Sequence, residues 1–137
     1  MEDRYLFKAK RFDNGEWVQG YLIYSFTGVP IIVTEYDHIL MLVTRYEVDS
    51  KTICQCTGLK DKNDKLIWEN DIVAYWDTYS TENGMAETNC VGEVMWDDET
   101  ISFQVTNRLS AESYEVLDEC SVIGNVFDNP ELLESEE

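Results

Sequence analysis

Positive charge is scarce in this chain, and apolar runs are short. Ten Lys and Arg stand against 28 Asp and Glu, for a formal net charge of −18. A surface this acidic repels nucleic-acid phosphates and anionic membranes, so direct nucleic-acid binding and membrane attachment are not expected. No apolar run exceeds five residues, Val29–Val33 being one, and none is long enough to span a bilayer as a helix. Arg4, Lys8, Lys10 and Arg11 near the start are not followed by an apolar segment of signal-peptide type. The expected compartment is the cytoplasm.

Chemistry-bearing residues are equally sparse. The single histidine, His38, has no candidate nucleophile in a recognisable setting and reads as structural or surface. The four cysteines, Cys54, Cys56, Cys90 and Cys120, do not form the two close pairs of a zinc site. They read as small apolar residues in a reducing compartment, with Cys54 and Cys56 on one face of a strand. There is no nucleophile elbow and no phosphate loop. Asp97, Asp98 and Glu99 are adjacent acids, but an acid–base pair needs environments that split its two pKa values. They read as a solvated hairpin turn. No enzyme activity, cofactor or metal is expected.

What is present is a β pattern and an uneven charge. Residues 1–65 hold nine Lys/Arg against ten Asp/Glu, and residues 66–137 hold only Arg108 against eighteen, so the halves carry −1 and −17. Phe7 onward alternates, with its basic residues expected to face water, and Asp13-Asn14-Gly15-Glu16 predicts a tight Asn-Gly hairpin turn. Trp17–Phe26 predicts the return strand, with Gly20 marking a bulge or a close backbone approach. Pro30 is placed first in a strand over Ile31–Thr34. Tyr36–Thr44 fits strand or helix, and strand is preferred. Asp49-Ser50-Lys51 predicts a turn into a strand ending near Cys56. The N-terminal half is therefore a β-meander.

Lys60–Lys65 predicts a charged loop, tightest at Asn63-Asp64. Leu66-Ile67-Trp68 is an apolar anchor, Glu69-Asn70-Asp71 a turn, and Ile72–Trp76 a strand with Ile72, Ala74 and Trp76 on one face. Asp77–Asn89 is polar and reads as an exposed loop with Asn83-Gly84 at its tip; loops of that length tend to be functional. Cys90–Trp96 and Ile101–Thr106 predict a hairpin. Ser110–Glu119 predicts one short helix, although its capping box is incomplete. Val122–Phe127 predicts the last strand, with a helical turn at Glu131-Leu132-Leu133, and Glu134–Glu137 an acidic tail with nothing apolar to bury.

Two long motifs resemble the YopX family of phage and prophage proteins. The first is Thr57-Gly58-Leu59-Lys60-Asp61-Lys62-Asn63-Asp64-Lys65-Leu66-Ile67-Trp68-Glu69-Asn70-Asp71-Ile72-Val73. The second is Val122-Ile123-Gly124-Asn125-Val126-Phe127-Asp128-Asn129-Pro130-Glu131-Leu132-Leu133. Phe7-Lys8-Ala9 and Trp17–Leu22 are similar to the family's opening hairpin. The family usually has Gly where Asp64 and Asn70 stand; both replacements tolerate positive φ, so the turns should survive.

The resemblance implies a mainly β fold: an N-terminal β-meander over 1–57 packed on a C-terminal SH3-like β-barrel over 58–133, followed by the tail 134–137. It implies no catalytic residue. It makes Gly58, Leu59, Asp61, Trp68, Glu69, Asp71, Gly124, Asn125 and Pro130 structural motif positions. Leu59, Leu66, Ile67, Ile72 and Val73 are expected to seat the barrel on the meander. The expected role is a non-catalytic protein-binding or self-associating module in a bacterial host cell. The alternative is an acidic DNA-mimic inhibitor of a host nucleic-acid-handling or defence protein. Candidate partner contacts are Asp77, Tyr79, Glu82, Glu87, Asp97, Asp98 and Glu99, with an aromatic set of Trp68, Tyr75, Trp76, Tyr79 and Trp96.

Overall fold

The structure, a computed structural model, describes residues 5–107, 112–115 and 120–133, with residues 77–79, 107 and 112–115 described by backbone alone. The chain is mainly β, in two antiparallel sheets. It divides into two compact units, Met1–Gly58 and Leu59–Glu137. The tail 134–137 lies outside the described residues.

The first unit is a four-strand meander with a fifth strand returning beside the first. Its strands are β1 (Phe7–Lys10), β2 (Trp17–Tyr24), β3 (Pro30–Asp37), β4 (Leu42–Glu47) and β5, which runs from Cys54 to Lys60. They lie in the order β4-β3-β2-β1-β5. Ala9, Ile32 and Val48 are buried together, with Phe7, Val18, Leu22 and Ile53 packed against them. Pro30 does open β3, where its missing N–H breaks no bond of the ladder interior. Gly20 meets a close approach: a Cβ there would lie 2.1 Å from the Val33 carbonyl oxygen. The register shift beside it is on β3, between Val33 and Glu35.

Three expectations for this unit need correction. The β1–β2 connection is not a two-residue Asn-Gly turn. Arg11 N–H donates to the Glu16 carbonyl, and only Gly15 has a positive φ, whereas the two-residue type I′ turn needs two such residues. Tyr36–Thr44 is neither one strand nor a helix. Its middle is the β3–β4 turn, because the Asp37 carboxylate accepts from the N–H groups of Ile39 and Leu40, and Met41 turns the chain at φ 60°. The basic residues of β1 do not simply face water. The ammonium groups of Lys8 and Lys10 lie 4.9 and 5.5 Å from the centre of the Trp17 ring, in cation–π contact.

The second unit contains β6 (Leu66–Trp68), β7 (Asp71–Thr81), β8 (Gly84–Asp97), β9 (Ser102–Asn107), β10 (Glu112–Glu115) and β11 (Ser121–Asn125). Five of them form a sheet in the order β10-β9-β8-β7-β11, and a 3₁₀ turn over Pro130–Leu133 follows. Among the described residues this sheet is not closed into a barrel. Ile67, Val73, Val94, Val105 and Cys120 form its core, with Tyr75, Phe103 and Val122 against it.

Here two expectations fail. Asp77–Asn89 is not a loop: its backbone is paired across β7 and β8, from Asp77 opposite Thr88 to Thr81 opposite Gly84. Only Glu82 and Asn83 form the turn. A two-stranded ribbon satisfies its own ladder without an apolar face, so its polar sequence did not betray it. The helix over 110–119 is also absent where it is described, since Glu112–Glu115 is a strand paired with β9. With Ser113 in place of a capping Glu, nothing closes a helical first turn, and the ladder on β9 satisfies those backbone groups instead. The remaining residues of that segment lie outside the described set.

Candidate functional site

The motif at residues 57–73 is built around two buried carboxylates. The Asp61 side chain is almost fully buried. Its Oδ1 accepts from the N–H groups of Asn63 (2.8 Å) and Lys65 (2.9 Å), and its Oδ2 accepts from Val122 N–H (2.9 Å). Desolvation pushes this carboxyl up, but the three N–H donors, with Lys65 nearby, outweigh it and hold the carboxyl below the ordinary aspartate value. Lys62 N–H reaches the Cys120 carbonyl. Asp61 therefore ties the turn after β5 to the start of β11.

Asp71 is the second carboxylate. It is buried and accepts from Trp68 N–H at 2.8 Å. Between them Asn70 has φ 74°, donates its N–H to the Val94 carbonyl and accepts from Val126 N–H. Asp64 has φ 67°. Both positions where glycine was expected in the family form are thus left-handed turns held by Asx residues. Gly58 is left-handed too, at φ 83°. Trp68 is buried, Glu69 half-buried, and Leu59 exposed. Leu59 does not join the core of its unit, whereas Ile67 and Val73 do.

The second motif is a turn of the same kind. Asn125 Oδ1 accepts from Phe127 and Asp128 N–H, both at 2.9 Å, while Asn125 N–H donates to Asn129 Oδ1. A Cβ on Gly124 would lie 2.6 Å from that Asn129 oxygen, so glycine is needed to admit it. Pro130 opens the 3₁₀ turn beyond. These side chains are committed to holding main chain, and their chemistry is architectural.

The candidate partner contacts fall elsewhere. Asp77 and Tyr79 lie on the backbone of β7, Glu82 at the ribbon tip, and Glu87 on β8. Asp97, Asp98 and Glu99 lie at the β8–β9 turn, where Asp97 Oδ1 accepts from Glu99 N–H and Asp98 Oδ1 from the Trp96 indole, each at 2.8 Å. The acids are therefore in two places, along the ribbon and at a turn. The aromatic set is not one patch. Trp68 is buried and Tyr75 packs on the core. Trp96 stacks edge-on with Phe103. Trp76, opposite Asn89, is 62% exposed.

β11 pairs with Asp71–Ala74 of β7, and β9 pairs with Glu93–Asp97 of β8. Beyond those pairings, residues 75–81 of β7 pair with 84–90 of β8. Strand alternation puts Trp76, Met85 and Glu87 on one face of this two-stranded segment, and all three are exposed. Sequence reading found the segment and its acids but missed its order.

Among the described residues no three His, Cys, Asp or Glu side chains come together to share a metal ion, and no helix is long and apolar enough to cross a membrane. The cysteines are free thiols, with Cys54, Cys56 and Cys120 buried and Cys90 half-buried. An antiparallel, mainly β protein with Asx-held turns and a long β7–β8 ribbon is the class this geometry defines. The family model for the YopX protein matches residues 6–134, and the chain belongs to that family. No curated protein matches the chain.

Proposed function

We propose that the chain is a non-catalytic protein-binding module of a phage or prophage, acting in the host cytoplasm, with the β7–β8 ribbon as its contact element. One observation carries this reading: the ribbon shows Trp76, Met85 and Glu87 together on one exposed face. An isolated two-stranded ribbon is marginal in water, and a partner that adds a strand or covers the tryptophan would stabilise it. Exposed tryptophan is the residue type most enriched where binding energy concentrates. We also read the second unit as an SH3-like fold. In support, β7 to β10 form a meander and β11 returns beside β7.

The test is affinity capture from host cells with mass spectrometry, using the full chain and a variant in which Asn-Gly replaces residues 78–87. Asp77 and Thr88 are opposite each other, so a two-residue turn can join them. A partner retained by the full chain and lost by the shortened one supports the reading. The same partners at the same yield from both would sink it.

A second reading, an acidic mimic of DNA, is favoured by charge. The second unit carries four Lys/Arg against twenty Asp/Glu, or −16, and the first unit six against eight, or −2. A basic DNA-handling partner whose affinity falls steeply between about 50 and 500 mM salt supports it, because screening shortens from about 14 to about 4 Å. Salt-indifferent binding would exclude it.

A further inference from the structure

We propose that two copies of the chain associate through the outer edge of β4, antiparallel about a two-fold axis through Thr44. This surface lies on the first unit and is separate from the ribbon reading. β4 is the outermost strand of its sheet. The phase of its ladder is fixed at its C-terminal end. Val48 N–H donates inward to the Pro30 carbonyl, whereas the Glu47 carbonyl accepts from Phe12 N–H, away from β3. Thr44 also faces β3, its carbonyl accepting from the Thr34 hydroxyl. By alternation the N–H and C=O groups of Val43 and Arg45 point outward from the sheet.

Natural edges are usually blunted by Lys, Pro or a bulge on the edge strand itself. β4, Leu-Val-Thr-Arg-Tyr-Glu, has neither Lys nor Pro, and its register shift is carried by β3 instead. The ribbon that ends in this edge is also strongly apolar. Ile39, Leu40 and Met41 at its turn are 78%, 63% and 73% exposed, with Leu42 and Val43 following.

The occupant follows from register and charge. A two-fold axis normal to the sheet must pair each residue with one of the same parity. Centred on Arg45, it would oppose two guanidinium groups. Centred on Thr44, it sets Val43 against the partner's Arg45, with two main-chain hydrogen bonds at each of the two equivalent pairs. Leu42 then faces the partner's Tyr46, and the shared ladder ends there, because Phe12 N–H already holds the Glu47 carbonyl. No like charges are opposed. Beside that end of β4 is a cleft of about 250 Å³ lined by Phe12, Asp13, Arg45, Tyr46 and Glu47. The same register brings each copy's Leu40–Met41 tip to the cleft of the other, and methionine suits an irregular cleft. The charge distribution selects the same unit: copies meeting through the −2 unit avoid the repulsion of two −16 units.

The test uses sedimentation equilibrium on the full chain from about 10 µM to about 0.5 mM. The expected result is a dimer of the 15.9 kDa chain, tightening as salt screens like-charge repulsion, the opposite trend to an acidic ribbon on a basic partner. Val43→Pro removes an outward N–H only, so it should yield a monomer with an unchanged far-ultraviolet spectrum. As a second arm, Thr44→Cys in a Cys90→Ser background should form a disulfide-linked dimer on mild oxidation. Thr44 opposes itself in a non-hydrogen-bonded pair, where Cβ atoms are closest. Ser50→Cys in the same background should not. A monomeric wild type over the whole range, or a dimer untouched by Val43→Pro and not trapped by Thr44→Cys, would overturn the proposal.

Discussion

Asp61 has both carboxylate oxygens committed to main-chain N–H groups of Asn63, Lys65 and Val122. An amide in its place presents two N–H donors of its own toward donors that need an acceptor. Asp61→Asn should therefore lower the unfolding free energy at neutral pH by about 2–4 kcal/mol, measured by urea denaturation. The sign of its pH dependence is fixed. The folded-state pKa lies below the unfolded one, so the contribution is present above the ordinary aspartate value and lost as pH falls through the lower folded value. The stability difference between wild type and variant should narrow in that acid range. A second residue test is Gly20→Ala. Its Cβ would meet the Val33 carbonyl oxygen, which is main chain and cannot rotate away. A loss of about 1–3 kcal/mol is expected in the same assay, as for other overpacked sites. Both residues were legible in the sequence, Asp61 through its motif and Gly20 as a glycine inside a β-rich strand. The partners that make them necessary come from strands distant in the chain, which no local pattern shows.

At the scale of elements, the turns at Asp64 and Asn70 were legible, whereas the β3–β4 turn and the β7–β8 ribbon were not. Asp64 and Asn70 stand where family glycines were expected, and positive φ follows from the backbone preference of those side chains. The β3–β4 turn was hidden because it is made from Ile39, Leu40 and Met41, without glycine or asparagine; the Asp37 carboxylate supplies the turn chemistry from the strand end. The β7–β8 ribbon was hidden for the converse reason. Period-two patterning reports a buried face, and the ribbon face with Trp76, Met85 and Glu87 is exposed. It follows that the outer ribbon adds little to stability. Replacing residues 78–87 by Asn-Gly should change the unfolding free energy by less than about 1 kcal/mol, because the core of that unit is formed by Ile67, Val73, Val94, Val105 and Cys120. A thermal scan that shows the shortened chain unfolding far earlier would give the ribbon a structural role instead.

Over the whole molecule, the two units differ in what their surfaces can meet. The first carries −2, with an apolar turn and a strand edge whose Val43 and Arg45 main-chain groups point outward. The second carries −16, with a ribbon that shows one exposed tryptophan. The charge asymmetry was visible in the sequence, but the separation of motif from contact surface was not. The motif acids Asp61 and Asp71 are buried in turns, while Glu82 and Glu87 are exposed on the ribbon. Trp76→Ala should accordingly leave the fold intact and weaken capture of the partner by about tenfold or more, as loss of a central aromatic contact does. The central claim is that residues 57–73 are architecture and the ribbon makes the contact. Amide hydrogen exchange of the full chain, alone and with its captured partner, tests it most directly. Protection appearing over 75–81 and 84–90, with residues 61–73 unchanged, is the predicted result. Protection elsewhere with the ribbon amides still exchanging freely would contradict it.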